Sequence, residues 1–568
     1  MASLYKKTIN GKPYWYLREM ARVHGKPKMV SERYLGSVAD IAAMLDGHEE
    51  AVVPQRTRHL GFGDVAAAWT IIQRLGVVET IDEVVGARRS DAAASVGTYL
   101  VLAALNRLVD PCSKRGFADW WKSTAADRFT KIGAAALDHR RFWDAMHGVT
   151  LEDLAAIEQK VATRMVESFG VDICALALDM TNFATYIDTG NDKAAIAQRG
   201  KAKQKRTDLR LVGLGLVVTR DGGIPLVSHA YAGNRPDVTQ FAAVIDLLVA
   251  RHAAVAEHPG PLGASEITVV FDAGQNSTAN FTHLAGSGLA YVGSVPPSDC
   301  PDLLALPATD RTTVDAQRFG ALTALETRRR VYGEQRRTIL THSPTLHAAQ
   351  TRGFDQTLAK AEAKLTDLTN TLARGKTRRD HTAVTAEITG ILADPWLRRV
   401  IDWELSGNTP TDHRLVWHVD HTARRDLETE IFGKRVLITG RHDWPIPDVV
   451  AAYRSQSDAE FAFRQLKDPH VVSFSPMHHW TDHNIRVHLF TCVLALQLAH
   501  LMRRHARQNG LDMSVRELLD HLAGIQETVL IYPSTGGRPK ARRMLTETTT
   551  TQNKLIEIFD LDRIAPKS

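Results

Sequence analysis

Cysteine is scarce in this chain. Four thiols occur in 568 residues (Cys112, Cys174, Cys300 and Cys492), and no two form a C-x-x-C pair. This excludes a zinc ribbon or a dithiol redox motif and suits reduced thiols in a reducing compartment. Long hydrophobic runs are lacking too. The longest near the C-terminal end, LFTCVLALQLAHLM at 489–502, is too short to span a bilayer and reads as a buried helix. The opening residues, MASLYKKTINGKPYWYL, are polar and strand-like, so no signal-peptide pattern is expected. Internal repeats and low-complexity tracts are absent. Neither sign of charge dominates: 70 Lys and Arg stand against 64 Asp and Glu, a net of +6, with a pI of about 9.0. That excess is a weak pointer to an anionic partner. The hydrophobic fraction, 44%, is that of an ordinary soluble protein, and the length calls for more than one core.

The chain divides by pattern. Residues 1–59 read as a small basic strand-rich module, with Asn10-Gly11 as a hairpin turn. Residues 60–170 carry helical periodicity. From 171 the period changes. VDICALALD is a strand, RLVGLGLVVTR and IPLVSHAYAG are strands joined by Asp221-Gly222-Gly223, and DVTQFAAVIDLLVARHA is a helix that Asp237 would cap. ITVVFD, a short helix and LAYVGSVP complete residues 171–299. The order is strand, strand, strand, helix, strand, helix, strand. It predicts an α/β fold with a ribonuclease-H-like core, three antiparallel strands followed by parallel ones. Residues 300–444 mix strands with a charged helix and read as an insertion. In that helix Leu358, Leu365, Leu368 and Leu372 form a core stripe. Residues 445–508 resume the core as helices, and 509–568 form a tail with the basic loop GGRPKARR.

Three carboxylates stand out, each in its own setting. Asp179 ends the strand in CALALDMTNF, Asp272 ends the strand in ITVVFDAGQN, and Glu460 lies in the helical YRSQSDAEFAFRQLK. In the expected topology the two aspartate strands are neighbours, and a helix over their edge brings Glu460 near. An all-oxygen set suits Mg²⁺ or Mn²⁺, and two such ions clamp an in-line phosphoryl transfer. Tyr453, Gln456, Glu460, Arg464 and Lys467 advance by three or four residues and are expected on one helix face.

At these residues the chain resembles the insertion-sequence DDE transposases of the insertion-sequence-four superfamily, most closely the insertion-sequence-1634 group. DMTNF (179–183) resembles that group's first-aspartate segment, and VFDAGQNS (270–277) its second. RGKAKQKRTDLRLVGLGLVVTRDGGIPLVSHAYAGNRPD (199–237) resembles its basic loop, hairpin and G-N-x-x-D segment. The group's Tyr, Arg, Glu and Lys helix positions hold Tyr453, Gln456, Glu460 and Lys467, so glutamine departs where arginine is typical. Arg454 or Arg464 could supply the missing phosphate contact.

The resemblance implies Asp179, Asp272 and Glu460 as metal ligands for two Mg²⁺ or Mn²⁺ ions. It implies phosphate contacts from Tyr453, Gln456 and Lys467, and DNA as partner through terminal inverted repeats and target DNA. A homodimer in a synaptic complex and a location on the bacterial nucleoid in the cytoplasm are further expectations. The 188 residues between Asp272 and Glu460, against 93 between the aspartates, fit the family's insertion domain. Trp396, Trp403 and Trp417 lie there and read as core before base platform.

Lys201, Lys203, Lys205 and Arg206 in KAKQKR are placed to hold phosphates. RGKTRR (374–379) and RPKARR (538–543) are further basic candidates. Asn234, Arg235 and Asp237 read either as a turn or as a group that positions DNA or an active-site loop. His478, His479 and His483 read as surface or DNA-proximal rather than a zinc site. Two rival functions remain open: a structure-selective nuclease or resolvase of the same fold, and a catalytically silent DNA-binding protein.

Overall fold

The structure is a computed structural model. It describes the chain apart from residues 1, 24–25, 50–52, 87–91, 189, 201–207, 257–266, 377, 476, 534–539 and 568. It is a mixed α/β protein built around a nine-stranded mixed sheet. Ala175–Thr185 lies at the heart of the site-bearing half. On one side it pairs antiparallel with Arg210–Thr219, which pairs with Pro225–Ala232. On the other it pairs parallel with Thr268–Phe271, which pairs parallel with Ala290–Val295. The helices Phe241–Ala256 and Thr278–Gly286 connect these strands. The expected element order is therefore observed. Parallel neighbours require crossovers, and the helices supply them.

Residues 300–444 do not behave as one insertion. Thr323–Val331, Glu334–His342 and Lys434–Thr439 extend the central sheet, and Lys434–Thr439 pairs antiparallel with Ala290–Val295. Only the part between the paired ends His342 and Lys434 stands apart. It contains the long helix Pro344–Ala373, three shorter helices and the hairpin Ile401–Ser406 with Arg414–Val419. Its own core includes Leu365, Leu368, Leu372, Val384, Ile388 and Phe432, with Leu358 partly buried against it. The leucine stripe is thus a core stripe.

The helical region before the sheet and the long helix Asp482–Gln508 share the main core. Two helices among the described residues are long and apolar enough to cross a membrane, Asp237–Val255 and Asp482–Gln508. The apolar window of the second is 94% buried by other elements, which is how a central core helix is packed. Arg56–Gly61 pairs with Gln526–Ile531, and Gln526–Ile531 with Ala541–Leu545. The tail therefore returns to the start of the helical region. Glu527 is fully buried there, against Arg128 and Arg543. At the N-terminus, Ala2–Ile9, Lys12–Val23 and Lys26–Gly36 form a separate three-stranded antiparallel sheet. Asn10 (φ 52) and Gly11 (φ 77) make its first turn. Both are left-handed, as a two-residue hairpin of this hand requires. All four cysteines are free.

Candidate active site

The register of two parallel strands positions the aspartates. Leu178 pairs with Phe271, so Asp179 and Asp272 follow one step further along. Asp179 does not end its strand as expected: residues 180–185 continue the antiparallel ladder with Arg210–Thr219, so the strand runs on to Thr185. Phe271 likewise pairs with Gly293, and one step on, Ser294 Oγ donates to Asp272 Oδ1 at 2.8 Å. Side chains alternate along a strand. Phe271 faces the phenylalanine cluster with Phe241 and Phe281. Val270 faces Val449, Val450 and Tyr453, so Asp272 shares that second face.

Asp179 and Thr181 point to the same face, which two helices cover. Ile446–Arg454 and Gln456–Lys467 meet at Ser455, where the sequence periodicity suggested one helix. Gln456 Nε2 donates to the Leu178 carbonyl at 2.8 Å, and Lys467 Nζ donates to Thr181 Oγ1 at 2.7 Å. These two bonds lay the second helix along the Asp179 strand. Ala459, Ala462, Phe463 and Leu466 bury its inner side. Glu460, one turn after Gln456, is exposed.

The structure packs two of the expected phosphate contacts, Gln456 and Tyr453, against the two aspartate segments. Gln456 is 8% exposed; its Nε2 is committed to the strand backbone, while its Oε1 is buried without a hydrogen-bond partner. Tyr453 is also 8% exposed; its hydroxyl donates to Asp272 Oδ1 at 3.3 Å, and Arg435 reaches that hydroxyl at 3.4 Å. Burial pushes the Tyr453 hydroxyl above its ordinary pKa; the Ser294 bond opposes this and the Asp272 charge adds to it. Tyr453 braces Asp272 directly, and Gln456 braces the strand at the residue before Asp179. Despite the break at Ser455, Tyr453, Gln456 and Glu460 line one pocket, and Gln456 and Lys467 both reach the Asp179 strand, so these expected neighbours do share a side.

A pocket of about 600 Å³ opens beside these groups. Asp272, Glu460, Tyr453, Arg435, Arg454 and Gln456 line it on the core side. Ser343, Leu346, Gln350 and Gly433, at the base of the nested helical unit, line the other. Arg454 is exposed with its guanidinium 4.7 Å from the Phe319 ring. Arg464 is exposed one turn beyond Glu460, 5.5 Å from the Phe461 ring. Among the described residues, no three His, Cys, Asp or Glu side chains already stand at metal-binding spacing.

Asp237, expected as a helix cap, instead accepts from Tyr231 Oη at 2.6 Å. Burial raises the pKa of that phenol, the Asp237 bond and charge add to it, and Asp179 contributes last. The ring overlies Gly213, where a Cβ would come within 2.1 Å of it. Sequence reading missed Tyr231; its signal was the glycine opposite, which a strand keeps where a large ring crosses the sheet.

Lys201, Lys203, Lys205 and Arg206 lie outside the described residues. Trp396 packs on Phe354 and Phe432 in the nested core, whereas Trp403 is 37% exposed. His479 is held to a pKa of about 3 by burial and by nearby Lys114 and Arg107, and His483 meets the Met146 carbonyl at 2.7 Å. These two are therefore tied into the helical region, and only His478 is exposed.

No family model matches the chain, and no curated protein does. Among solved structures, a piggyBac transposase synaptic complex with hairpin DNA aligns over 81% of this chain and 79% of that one. The identity is 8% and the TM-score 0.37, a likeness too slight to carry fold or function across.

Proposed function

We propose that the chain is a metal-dependent DDE transposase of the insertion-sequence-four type, acting on DNA ends. One observation carries the reading: the register of two adjacent parallel strands brings Asp179, midway along Ala175–Thr185, level with Asp272, just past the end of Thr268–Phe271, on the face that the Glu460 helix covers. The strand order around them, with Ala175–Thr185 central, two antiparallel strands on one side and two parallel on the other, supports the reading of a ribonuclease-H-like core.

The donor set fits a hard divalent cation: three carboxylates with no sulfur or imidazole among them. Asp179, Asp272 and Glu460 would hold Mg²⁺ or Mn²⁺, which lowers the barrier to in-line attack on a phosphodiester. The exposed Glu460 side chain would swing toward the aspartates as the set closes. Ser294 and Tyr453 would hold Asp272 in place. Arg435 and Arg454 would meet phosphate oxygens in the pocket, and Lys467, tied to Thr181, would anchor the helix. The first step would be hydrolysis to free a 3′-hydroxyl at the element's end, followed by attack of that hydroxyl on target DNA.

The test is cleavage of a duplex bearing the inverted repeats that flank the coding region, with Mg²⁺, by wild type, Glu460→Gln and Asp272→Asn. Cutting at the repeat boundary by wild type, with a loss of at least ~100-fold in each variant, is expected, since removing a group that stabilises transition-state charge costs about that much. Equal cutting by wild type and Glu460→Gln would remove Glu460 from the site. Cutting of branched duplexes without regard to the repeats would favour a structure-selective nuclease.

A further inference from the structure

The N-terminal sheet carries a charge out of proportion to its size. Residues 2–36 hold eight Lys and Arg against two Glu, a net of +6. That equals the net charge of the entire chain, so the remaining residues are balanced. The strands of this sheet and the helix Val38–Glu49 pack chiefly on one another, which leaves the module open to a partner.

The strand register sorts its side chains. Tyr16 pairs with Tyr5 on one side and Tyr34 on the other, and Tyr14 pairs with Lys7. Paired and alternate residues share a face. Tyr5, Tyr14, Tyr16 and Tyr34 therefore stand together, with Lys7 and Arg18 among them. The ring of Tyr34 lies 6.0 Å from that of Tyr14 and 5.2 Å from that of Tyr16. The Arg18 guanidinium sits 3.5 Å over Tyr5, and Lys7 Nζ 5.9 Å from the centre of Tyr16. Tyr5 is 42% exposed and Tyr34 55%. A folded domain ordinarily hides four aromatic rings grouped on one sheet face.

We propose that this face binds single-stranded DNA, with unpaired bases stacking on the tyrosines and the surrounding lysines and arginines holding phosphates. Aromatic rings accept any base on their faces, and a basic surround tracks the backbone. Duplex fits less well. The major groove admits a helix or a two-stranded ribbon, whereas three strands at about 4.8 Å spacing with their side chains are broader. Groove readers also use Arg, Asn and Gln at base edges; of these the face offers Arg22, at its far end, and Arg18, which is ion-paired with Glu32. The inference stands on the charge and the rings and does not rest on the carboxylate site.

The test is fluorescence anisotropy of the full chain with a labelled oligo-dT strand and no divalent metal, so that failure of the transposase reading cannot affect it. The Tyr5→Ser/Tyr34→Ser double variant is expected to bind about tenfold more weakly or worse, from the loss of two stacking rings. Tyr5→Phe/Tyr34→Phe keeps the rings and should bind like wild type. Lys7→Gln should flatten the salt dependence by about one phosphate's worth. Undiminished binding by the serine variant would overturn the proposal, and so would a duplex of equal length that competes as well as the single strand.

Discussion

Lys114 should be more useful to the folded chain as methionine. Its ammonium nitrogen is buried with no hydrogen-bond partner, 5.7 Å from the Phe142 ring. The residue is 9% exposed. Burial, with Arg107 second, lowers its pKa from 10.5 to about 7, while Cys492 and Cys112 oppose the drop. Around it stand other bases. His479 is held to about 3 and buried His488 well below its ordinary value, and in both Arg107 follows burial as a charge or sits among the causes. Arg107 bonds the carbonyls of Ser473, Ser475 and Cys112.

At about 1.4 kcal/mol per pKa unit, moving a lysine from 10.5 to about 7 costs the folded state roughly 4–5 kcal/mol at neutral pH. The sign follows from proton counts. Between pH 7 and 10.5 the unfolded chain holds a proton that the folded chain has released, so stability rises with pH across that window. Above it the cost vanishes, and below it the cost stays at its maximum. Methionine is of similar length and carries no amine, so Lys114→Met removes the cost and gives up only the contact with Phe142, about 0.5–1 kcal/mol. A chain with several cores does not unfold in one step. The assay is therefore a set of thermal scans of both proteins from pH 6 to 10.5. The variant should melt several degrees higher at pH 7, with the gap closing toward pH 10.5. A variant that melts lower at pH 7, or a gap that ignores pH, would show that Lys114 is charged and paired, and the argument from burial would fall.

Two further outcomes follow from buried polar groups. Tyr453→Phe keeps the ring packed against Val270 but removes the hydroxyl from Asp272; repeat-end cleavage should slow about tenfold, the equivalent of one hydrogen bond, with an unchanged melting curve, and full activity would remove Tyr453 as a positioning residue. Glu527→Gln leaves Arg128 and Arg543 without their shared carboxylate; breaking a buried pair costs about 3–5 kcal/mol, discounted here because both arginines are partly exposed, and limited trypsin digestion should release the C-terminal strands sooner than in wild type.

The strands that bear the aspartates were legible because an apolar run leads up to each carboxylate, but the continuation of the first past Asp179 to Thr185 was not. The turns at Asn10-Gly11 and Asp221-Gly222-Gly223 were legible because both need residues that tolerate positive φ: Gly222 (92) and Gly223 (70) have it as Asn10 and Gly11 do. Three things were hidden. The break at Ser455 leaves that residue nearly helical (φ −68, ψ −8), so the apolar period runs through it. Gln456 and Tyr453 carry polar atoms that a sequence assigns outward, whereas the structure turns them inward onto Leu178 and Asp272. The sheet membership of Glu334–His342 and Lys434–Thr439 was also missed, although a signal existed. Their apolar residues run on without alternation, and both strands are buried on both faces, as central strands are.

The same two strands explain how a large helical unit interrupts the core without disturbing it. His342 and Lys434 are paired residues, so the chain leaves the sheet and returns to it one strand spacing away. A unit joined at two adjacent points needs no rearrangement of the strands that carry Asp179 and Asp272. Its root also forms part of the pocket. Ser343, Leu346, Gln350 and Gly433 face Asp272 and Glu460 across the same space. Gly433 (φ 76) allows the return, and its Cβ position lies 2.8 Å from both His342 and His347, so the junction is closely packed. A ligand in that pocket therefore touches the carboxylates and the foot of the nested unit together. Any tilt of the unit about its paired root would reshape the wall opposite Glu460, which couples the position of an element outside the core to the geometry of the site.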